Sequence, residues 1–374
     1  MATSNPFSNL DSSNPFEISF YVTDIDLSII NSIRRVILSD IPNVGFFFDP
    51  NNFTDDKHIN ITINNTPLHN EFLQHRIALI PIHVSVSQLE NWNDERYTFI
   101  IDKTNDTNSL LNVYSSDIQV YDNESKSFNK NLASTFFPPD VITKDHIIIT
   151  KLNQQKGSKL HLEAKAIVGT PSKSTSFGII SNISIEFVVD EKTASKQLSK
   201  YIETNKDKDS IDNLTYQFNS IERERHYHRN KYREPNQFKI ALTSESKLPC
   251  TYIFSNAIKI LKDKILNFQQ SNYEVINSDM LFSIIIENEG HTLGNLFQSL
   301  VFNNYIREGI DNEYKVTYIG YNIPHPLEKI LLIKVKGDKL LVLDDVHGFV
   351  KKSCDFIYSQ LSDLEIQWNT LSNN

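Results

Sequence analysis

Two stretches of this sequence share one helical pattern: LSIINSIRRVIL, from Leu27 to Leu38, and HTLGNLFQSLVF, from His291 to Phe302. When Asn31 is aligned with Asn295, the apolar residues of both stretches coincide at the 3.6-residue spacing of one buried helical face. The aligned pairs are Ile29 with Leu293, Ile33 with Phe297, Val36 with Leu300, and Ile37 with Val301. We therefore expect the two helical faces to pack against each other within one chain.

The composition is that of a globular protein. The chain has 374 residues, of which 39% are hydrophobic and 11% aromatic, enough for two or three domains with their own cores. The formal net charge of −9 argues against a protein whose main task is to neutralise phosphates, because binding a nucleic-acid duplex requires clustered Lys and Arg. We expect little or no direct contact with DNA.

Cysteine content and hydropathy indicate the compartment. Two cysteines, Cys250 and Cys354, are too few for a disulfide framework or a four-thiolate zinc site. The N-terminal stretch lacks the basic and apolar regions of a signal peptide, and no run of about 18 apolar residues occurs. The sequence therefore predicts a soluble, intracellular protein without a membrane span.

The order of predicted elements is typical of an α+β fold. Helical patterns at 27–38 and 68–79 are interspersed with strands, and from about Val84 short strand-like runs alternate with Asn-, Ser- and Pro-rich turns. This change indicates an inserted β-rich domain. The predicted organisation is a discontinuous first module at 1–83 and 236–268, the inserted domain at 84–235, a linker at 269–279 and a second module at 280–374.

Two further helices have apolar seams suited to packing. The helix opened by Pro249 places Phe254, Ile258, Leu261, Ile265 and Phe268 on one face. The terminal helix repeats apolar residues at spacings of three and four: Val346, Val350, Cys354, Ile357, Leu361, Leu364 and Trp368. Because Cys354 lies on this seam, we interpret it as a core residue and not as a nucleophile.

The polar stretch 205–236 allows two interpretations. His226 and His228 could bind a metal, and its arginines could bind phosphate; alternatively, the stretch is a solvated loop whose charges balance. The first interpretation would make the protein a stand-alone enzyme that uses the inserted domain, and a free-standing adaptor or regulatory factor is another alternative. The sequence contains no P-loop, GxSxG or HExxH motif, and His291 is better explained as orienting a helix start. We therefore expect no catalytic residue and no cofactor.

Four segments carry a family resemblance. GHTLGNL (290–296) and YIGYNIPHPLEKILLIKV (318–335) resemble the small α-like subunit of multisubunit RNA polymerases, archaeal subunit L and its eukaryotic counterpart. DLSIINSIRRVILSDIP (26–42) and LHNEFLQHRIALIPI (68–82) are similar to the larger α-like subunit, archaeal D and its counterpart. Both resemble the dimerising domain of bacterial α, so the resemblance implies two partners fused in one chain.

The resemblance implies a fold and a function. It implies an intramolecular pseudo-heterodimer of two bacterial-α-type dimerisation modules, acting as a non-catalytic assembly subunit of a DNA-directed RNA polymerase. The implied partners are the β-like second-largest subunit, the β′-like largest subunit and other small polymerase subunits. Because such fusions occur in large cytoplasmic DNA viruses, it also implies a viral polymerase that acts in the host cytoplasm, in the virus factory, and is packaged in the virion.

Two sets of residues follow from the pattern and the resemblance. The expected interface between the halves comprises the apolar residues Ile29, Ile33, Val36, Ile37, Phe254, Ile258, Leu261, Ile265, Leu293, Phe297, Leu300, Val301, Val350, Ile357, Leu361 and Leu364. The residues implied to dock the β-like subunit are Arg34, Arg35, Glu71, His75 and Arg76, since the guanidinium of arginine suits carboxylates across an interface. The alternatives are that each apolar stripe packs only on its own sheet, and that the charged residues form exposed or intramolecular ion pairs such as Glu71 with His75.

The sequence also departs from the family. Many larger α-like subunits carry a cysteine-rich metal loop in the inserted domain, and this chain has no cysteine before Cys250. We therefore expect no zinc or iron–sulfur site. We also expect no C-terminal DNA-binding domain of the bacterial kind after Trp368. Arg34 and Arg35 align with Gln298 and Ser299, so cations are expected on one side of the pairing only.

Overall fold

The computed structural model describes residues 5–49, 58–271, 273–278, 281–338 and 342–372, which form an α+β fold. The strands are β1 (Phe7–Asn14), β2 (Glu17–Thr23), β3 (Asn43–Phe46), β4 (Ile59–Asn64), β5 (Tyr97–Thr104), β6 (Leu111–Tyr114), β7 (Gln119–Asp122), β8 (Ser127–Phe128), β9 (Ile148–Leu152), β10 (Lys159–Ala164), β11 (Ala166–Gly169), β12 (Ile180–Phe187), β13 (Gln237–Ser244), β14 (Glu274–Ser278), β15 (Leu281–Glu287), β16 (Val316–Asn322) and β17 (Ile330–Gly337). The helices are α1 (Leu27–Ser39), α2 (Asn70–Ala78), α3 (Val86–Glu90), α4 (Lys130–Phe136), α5 (Glu191–Asn205), α6 (Ile211–Gln217), α7 (Cys250–Gln270), α8 (His291–Val301) and α9 (Leu343–Ser372). The α+β class expected from the sequence is confirmed.

The chain divides into two compact units. The first comprises residues 1–37, 182–243 and 251–374, and the second comprises residues 38–181 and 244–250. Both ends of the chain therefore belong to the first unit.

The first unit contains two four-stranded sheets of the same topology. Their strand orders are β1-β2-β13-β12 and β14-β15-β17-β16. In each sheet a hairpin (β1-β2, β14-β15) leads into a helix (α1, α8), and a second adjacent pair (β12-β13, β16-β17) leads into a long helix (α7, α9). We call the first sheet with α1 and α7 the first module, and the second sheet with α8 and α9 the second module. The repeat seen in two helices thus extends to every strand of both sheets.

Period-2 patterns explain the central strands of the first module. In β2 the sequence EISFYVT buries Ile18, Phe20 and Val22, and in β13 the sequence QFKIALTS buries every second residue. Alternation of this kind gives a sheet one apolar face for helices to cover.

In the second module the helix lies close to its sheet. A Cβ atom at Gly294 would lie 2.6 Å from a ring carbon of Tyr321 and 2.7 Å from a methyl carbon of Leu331. Because real Cβ atoms do not approach that closely, only glycine allows α8 to lie at this distance from β16 and β17.

The second unit is the β-rich one. It holds a five-stranded sheet of order β4-β10-β5-β7-β8, together with the pairs β11-β3 and β6-β9. Phe99 packs edge-on against Phe46, with ring centroids 5.0 Å apart, and also contacts Phe136. These three rings are buried in its core.

The boundaries of this unit differ from the predicted insertion at 84–235. Strands β3 and β4 pair with β11 and β10, so Asn43–Phe46 and Ile59–Asn64 belong to the β-rich unit. At the other end, β12 continues the sheet of the first module. Both boundaries of the β-rich unit therefore lie nearer the N-terminus than those of the predicted insertion. They depend on strand pairing between distant segments, which the hydropathy pattern along the chain does not indicate.

The predicted linker 269–279 is replaced by regular structure. Helix α7 continues to Gln270, and β14 pairs with β15 from Glu274↔Ile285 to Ser278↔Leu281. Positions 272 and 279 lie outside the described residues. The sequence of this segment is polar because β14 is an edge strand, and an edge strand with one solvated face needs few apolar residues.

The stretch 205–236 is also more ordered than a solvated loop. It contains α6 and a π-helical turn at Phe218–Glu222. Leu214 and Phe218 are buried, and the Phe218 ring contacts Tyr201 of α5 at 5.6 Å between centroids. Leu214 and Phe218 are four positions apart, which is a helical spacing, but the many charged residues around them favoured the interpretation as a solvated loop.

Candidate functional site

The two modules meet where α1 crosses α8. The Asp26 carboxylate, just before α1, accepts hydrogen bonds from Ser299 Oγ at 3.3 Å and Asn303 Nδ2 at 2.6 Å. Further along α1, Ser32 Oγ donates to the carbonyl oxygen of Thr292 at 3.4 Å. The start of α1 therefore contacts the end of α8, and the two helices run in opposite directions.

A second polar contact reflects an approximate twofold symmetry. Arg35 Nε donates to Thr292 Oγ1 at 2.9 Å, near the end of α1 and the start of α8. In the alignment of the two helices, Arg35 corresponds to Ser299, which contacts Asp26 at the opposite ends of the helices. Reciprocal contacts of this kind are typical of a twofold interface, in which each partner presents the same surface.

The structure buries the whole apolar set that the sequence proposed for the interface. All sixteen residues are at most 7% exposed. Between the helices of the two modules, the rings of Phe268 and Phe297 pack edge-on with centroids 5.4 Å apart. Phe268 was on the predicted seam, although it was not in the interface set.

Helices α7 and α9 form the second contact between modules. Ser255 Oγ donates to Asn369 Oδ1 at 3.2 Å, near the start of α7 and the end of α9. At the other end, Gln269 Nε2 donates to Asp355 Oδ1 at 2.6 Å. The long helices are therefore also antiparallel.

An aromatic cluster fixes the end of α9. The Trp368 ring lies 4.4 Å from Phe254, 4.8 Å from Phe20 and 5.3 Å from Phe7, measured between centroids. Its Nε1 donates to the carbonyl oxygen of Thr251 at 3.3 Å. Since these four partners all belong to the first module and Trp368 to the second, this cluster is a central anchor of the pairing.

A half-buried ion pair lies between the same helices. Lys262 Nζ is 2.8 Å from Glu365 Oε2, and both side chains are 16% exposed. Burial alone lowers the pKa of Lys262, but the hydrogen bond and charge of Glu365, together with Tyr358, raise it above its usual value. Removing either partner would leave a poorly solvated charge.

A hairpin loop of the first module, Arg229–Pro235, is built around Asn230. The Asn230 Oδ1 accepts from the backbone N–H of Tyr232 at 2.8 Å and of Glu234 at 3.0 Å. Arg229 and Pro235 form a bridge that closes the loop. The loop therefore has a defined shape, and it presents Lys231, Tyr232 and Glu234 together.

These three side chains bind the end of the π-helical turn that follows α8, Phe302–Arg307, and Glu308 directly after it. Glu234 accepts two hydrogen bonds from Arg307, at 3.0 and 2.9 Å, while Lys231 and the Tyr232 hydroxyl bind Glu308. The hydrogen bonds from Arg307 hold the pKa of Glu234 below its usual range. We call this set of contacts the clasp, and it joins the two modules independently of the helix crossings.

The docking candidates divide between the units. Arg34 is half-buried, and both its Nε and Nη2 donate to Asn31 Oδ1, at 3.1 and 3.0 Å. Arg35 makes the intramolecular hydrogen bond to the neutral Thr292 side chain described above. The first unit thus holds two of the five candidates.

The other three candidates lie on α2 in the second unit. Glu71 and His75 are exposed, and the His75 ring lies 5.9 Å from Phe48. Arg76 donates to the carbonyl oxygens of Ile148 and Ile149, each at 2.8 Å, which fixes α2 against β9. Between them, Phe72 is 63% exposed, which is unusual for a phenylalanine.

The residues considered for chemistry have structural contacts. His226 stacks on Phe218 at 5.8 Å between centroids, and His291 Nδ1 lies 3.3 Å from the Tyr321 hydroxyl. Within the described ranges, no group of three His, Cys, Asp or Glu residues is placed to hold a metal ion. None of the helices in those ranges is long and apolar enough to span a membrane.

Comparison with protein families accounts for this arrangement. A profile described as the RNA polymerase Rpb3/Rpb11 dimerisation domain matches residues 19–265, and a second profile of the same description matches residues 282–367. The chain belongs to the RNA polymerase Rpb3/Rpb11 dimerisation-domain family. The two matches correspond to the two sides of the pairing, so this Rpb3/Rpb11-type protein carries two dimerisation domains in one polypeptide.

Individual relatives are RNA polymerase subunits. The chain is 26% identical over 208 residues to the DNA-directed RNA polymerases I and III subunit RPAC1 of Saccharomyces cerevisiae, covering 47% of this chain and 55% of that protein. It is 30% identical over 121 residues to the DNA-directed RNA polymerase subunit Rpo3 of Thermococcus kodakarensis, covering 32% and 42%. It is 32% identical over 68 residues to the DNA-directed RNA polymerase II subunit RPB3 of Schizosaccharomyces pombe, covering 18% and 20%. The chain thus spans about half, or less, of the length of these relatives.

The sequence did not identify the clasp. Its residues were considered only as phosphate ligands or as a solvated loop, and the segment after α8 was assigned no structure. One signal in the sequence is that each segment carries a positive and a negative residue close together. Arg307 can pair with Glu234, and Glu308 can pair with Lys231. Pairing between segments so far apart in the chain is not visible in local patterns.

Proposed function

We propose that this protein is a non-catalytic assembly subunit of a DNA-directed RNA polymerase, in which two α-like modules pair within one chain and dock the large subunits. The observation that supports the proposal most strongly is the coincidence of two dimerisation-domain matches with two modules of identical strand order. The helix crossings, the aromatic cluster and the clasp supply the contacts that pairing requires.

Fusion has a physical advantage for such a subunit. Only residues 271–273 separate the end of α7 from the start of β14. A short connection holds two binding partners at an effective concentration on the order of millimolar, so pairing becomes a first-order step that does not depend on expression level. The paired modules would then be available as one platform for the catalytic subunits.

We infer that the partners are the β-like second-largest subunit, the β′-like largest subunit and other small polymerase subunits. Docking of the β-like subunit is assigned to Arg34 in the first unit and to the exposed face of α2, with Glu71, His75 and Arg76, in the second. The exposure of Phe72 beside Glu71 supports an interface on α2, because aromatic side chains are enriched at interface cores. Arg35 is a weaker candidate, because its substitution would also remove the bond to Thr292.

The experiment is affinity isolation of the tagged full-length chain, followed by quantitative mass spectrometry. The proposal predicts recovery of both large polymerase subunits in amounts equimolar with the chain. Their absence would overturn it.

Charge reversal tests the α2 surface in the same experiment. We expect Glu71→Lys to reduce recovery of the second-largest subunit severalfold. Glu90→Lys is the matched control, because Glu90 is an exposed residue of α3 in the same unit and outside the docking set. Equal recovery with both variants would remove α2 from the docking surface.

We also propose that the polymerase is that of a large cytoplasmic DNA virus, with the chain present in the virus factory and in the virion. The joining of both α-like partners in one chain supports this. Mass spectrometry of purified virions tests it, and absence of the chain from virions that contain the large subunits would contradict it.

A further inference from the structure

A cleft of about 1020 Å³ opens in the first unit where the two modules meet. The first module contributes the start of α1, strand β12 and the hairpin loop Arg229–Pro235, and the second contributes α8 and its π-helical turn. The cleft is therefore a composite surface that exists only when the modules are paired. Its volume is at the upper end of the range found for ligand pockets.

One wall of the cleft is a sheet edge. In the described part of the chain, β12 is the last strand of its sheet, and Ile183, Ser184 and Ile185 line the cleft. Beyond β12 the chain continues beside the segment that leads into the hairpin loop, because Val189 pairs with Tyr227 and the His228 N–H donates to the carbonyl oxygen of Val188. An exposed edge presents backbone donors and acceptors that an extended peptide can pair with.

The charges that line the cleft specify the occupant. Among the described residues, Arg34 bonds only to the neutral Asn31 side chain, whereas Arg307 is already held by Glu234. The counterpart of Arg34 in the second module is Gln298, whose Oε1 accepts from the backbone N–H of Tyr321. Arg34 therefore presents to the cleft a planar guanidinium that lacks a carboxylate partner. The equivalent position of the second module carries no cation.

We propose that an extended segment of another RNA polymerase subunit binds here, adding as a strand to β12 and placing one carboxylate against Arg34. This inference rests on the proposed function and names the chemistry of one docking partner. Nucleic acid is a poorer fit, because a strand with a phosphate at every nucleotide would bring negative charge next to the Asp24 and Asp26 carboxylates, which also line the cleft, whereas a single carboxylate at Arg34 need not approach them. Because both modules form the cleft, the segment would bind only a correctly paired chain.

The test uses the full chain within the isolated polymerase. The photo-crosslinking amino acid p-benzoylphenylalanine is placed at Ser184, and the control is the same probe at Ser127, on the edge strand β8 of the second unit. We expect the Ser184 probe to crosslink to an extended segment of another subunit that contains an Asp or Glu residue. We also expect backbone amides 183–185 to exchange hydrogen at least tenfold more slowly in the polymerase than in the free chain.

The outcomes separate this inference from the proposed function. If the polymerase contains the chain but neither the crosslink nor the slower exchange is found, the inference is overturned and the proposed function stands. A crosslink from Ser184 to RNA or DNA would also overturn it. If the isolated chain carries no large polymerase subunits, both proposals fail.

A matched pair of variants tests the role of Arg34. Arg34→Gln gives the first module the side chain found at the equivalent position of the second, and we expect about a tenfold lower crosslinking yield. The control, Arg225→Gln, removes the same charge from an exposed residue of the first unit that pairs with Glu222 outside the cleft. Equal yields from both variants would reject the carboxylate contact.

Discussion

Substitution of Trp368 by alanine should separate the two modules. The side chain is fully buried and contacts three rings of the first module at 4.4 to 5.3 Å between centroids. Truncating a buried Trp costs about 3–5 kcal/mol, which includes the cavity left behind. Each lost aromatic pair is worth about 0.5–1.5 kcal/mol, and the carbonyl of Thr251 loses its donor. We therefore expect Trp368→Ala to weaken the pairing of the modules by an amount at the upper end of the range of about 3–5 kcal/mol.

Pairing is measured directly after the chain is cut. A protease site inserted at position 272, between α7 and β14, allows the folded protein to be cut into two chains. The Kd for the pairing of the two modules can then be measured. Trp368→Ala should raise this Kd by about a thousandfold to several thousandfold. Phe177→Ala is the control, because Phe177 is equally buried but lies in the second unit. It should lower the free energy of unfolding by a similar amount and leave the Kd unchanged. A Kd within twofold of the parent for Trp368→Ala would refute the reasoning.

Four further predictions concern the clasp and the core. A double-mutant cycle with Glu234→Ala and Arg307→Ala in the nicked chain should give a coupling energy of about 1 kcal/mol that decreases with salt; zero coupling would contradict the clasp. Because the Arg307 hydrogen bonds lower the pKa of Glu234 from its usual 4.5, the contribution of this carboxylate should be complete above that pH and be lost as the pH falls through the lowered value. The Kd of Glu234→Gln divided by the Kd of the parent, measured across a pH series, should therefore fall toward one in acid. Burial raises the pKa of the Cys354 thiol to about 12, so alkylating reagents should modify it only in denaturant; rapid modification of the folded chain would contradict its burial. Gly294→Ala should lower the free energy of unfolding by about 1–3 kcal/mol, whereas Gly290→Ala, which meets no atom within 4 Å, should be close to neutral in the same denaturation assay.

Local periodicity was sufficient to predict the helices that carry the pairing. Residues such as Ile33 and Phe297 recur at helical spacing, and a 3.6-residue period specifies a buried face without knowledge of the partner. Two strands of the second sheet, β16 and β17, overlap the segment 318–335 that carries the family resemblance. Patterns of this kind depend only on neighbours within a few turns of the chain.

The remainder of the fold depends on contacts between distant segments. Strand β1 contains only one buried residue, Phe7, so its sequence has no alternation to detect. Strand β14 was taken for a linker for the same reason. Strands β1 and β14 are recognised as equivalent only because the two sheets have the same strand order. Strand order depends on which strands pair, and composition does not indicate it.

The candidate site shows the same division. Its apolar residues follow from periodicity, whereas the clasp and the cleft need the positions of Glu234, Arg307 and Arg34 in three dimensions. Arg35 illustrates the difference: its charge suggested a docking role, but the structure directs its Nε to Thr292. Charged residues on a helix carry no signal of which partner they meet.

Reconstitution by omission tests the central claim most directly. The two large subunits of the same polymerase are coexpressed with the parent chain, with Trp368→Ala in a nicked chain, or with neither, and the mass of the large-subunit complex is measured. The paired chain should yield a stoichiometric complex with both large subunits, while the unpaired variant and the omission should yield little. Assembly of the large subunits to the same extent without this chain would contradict its role as the platform.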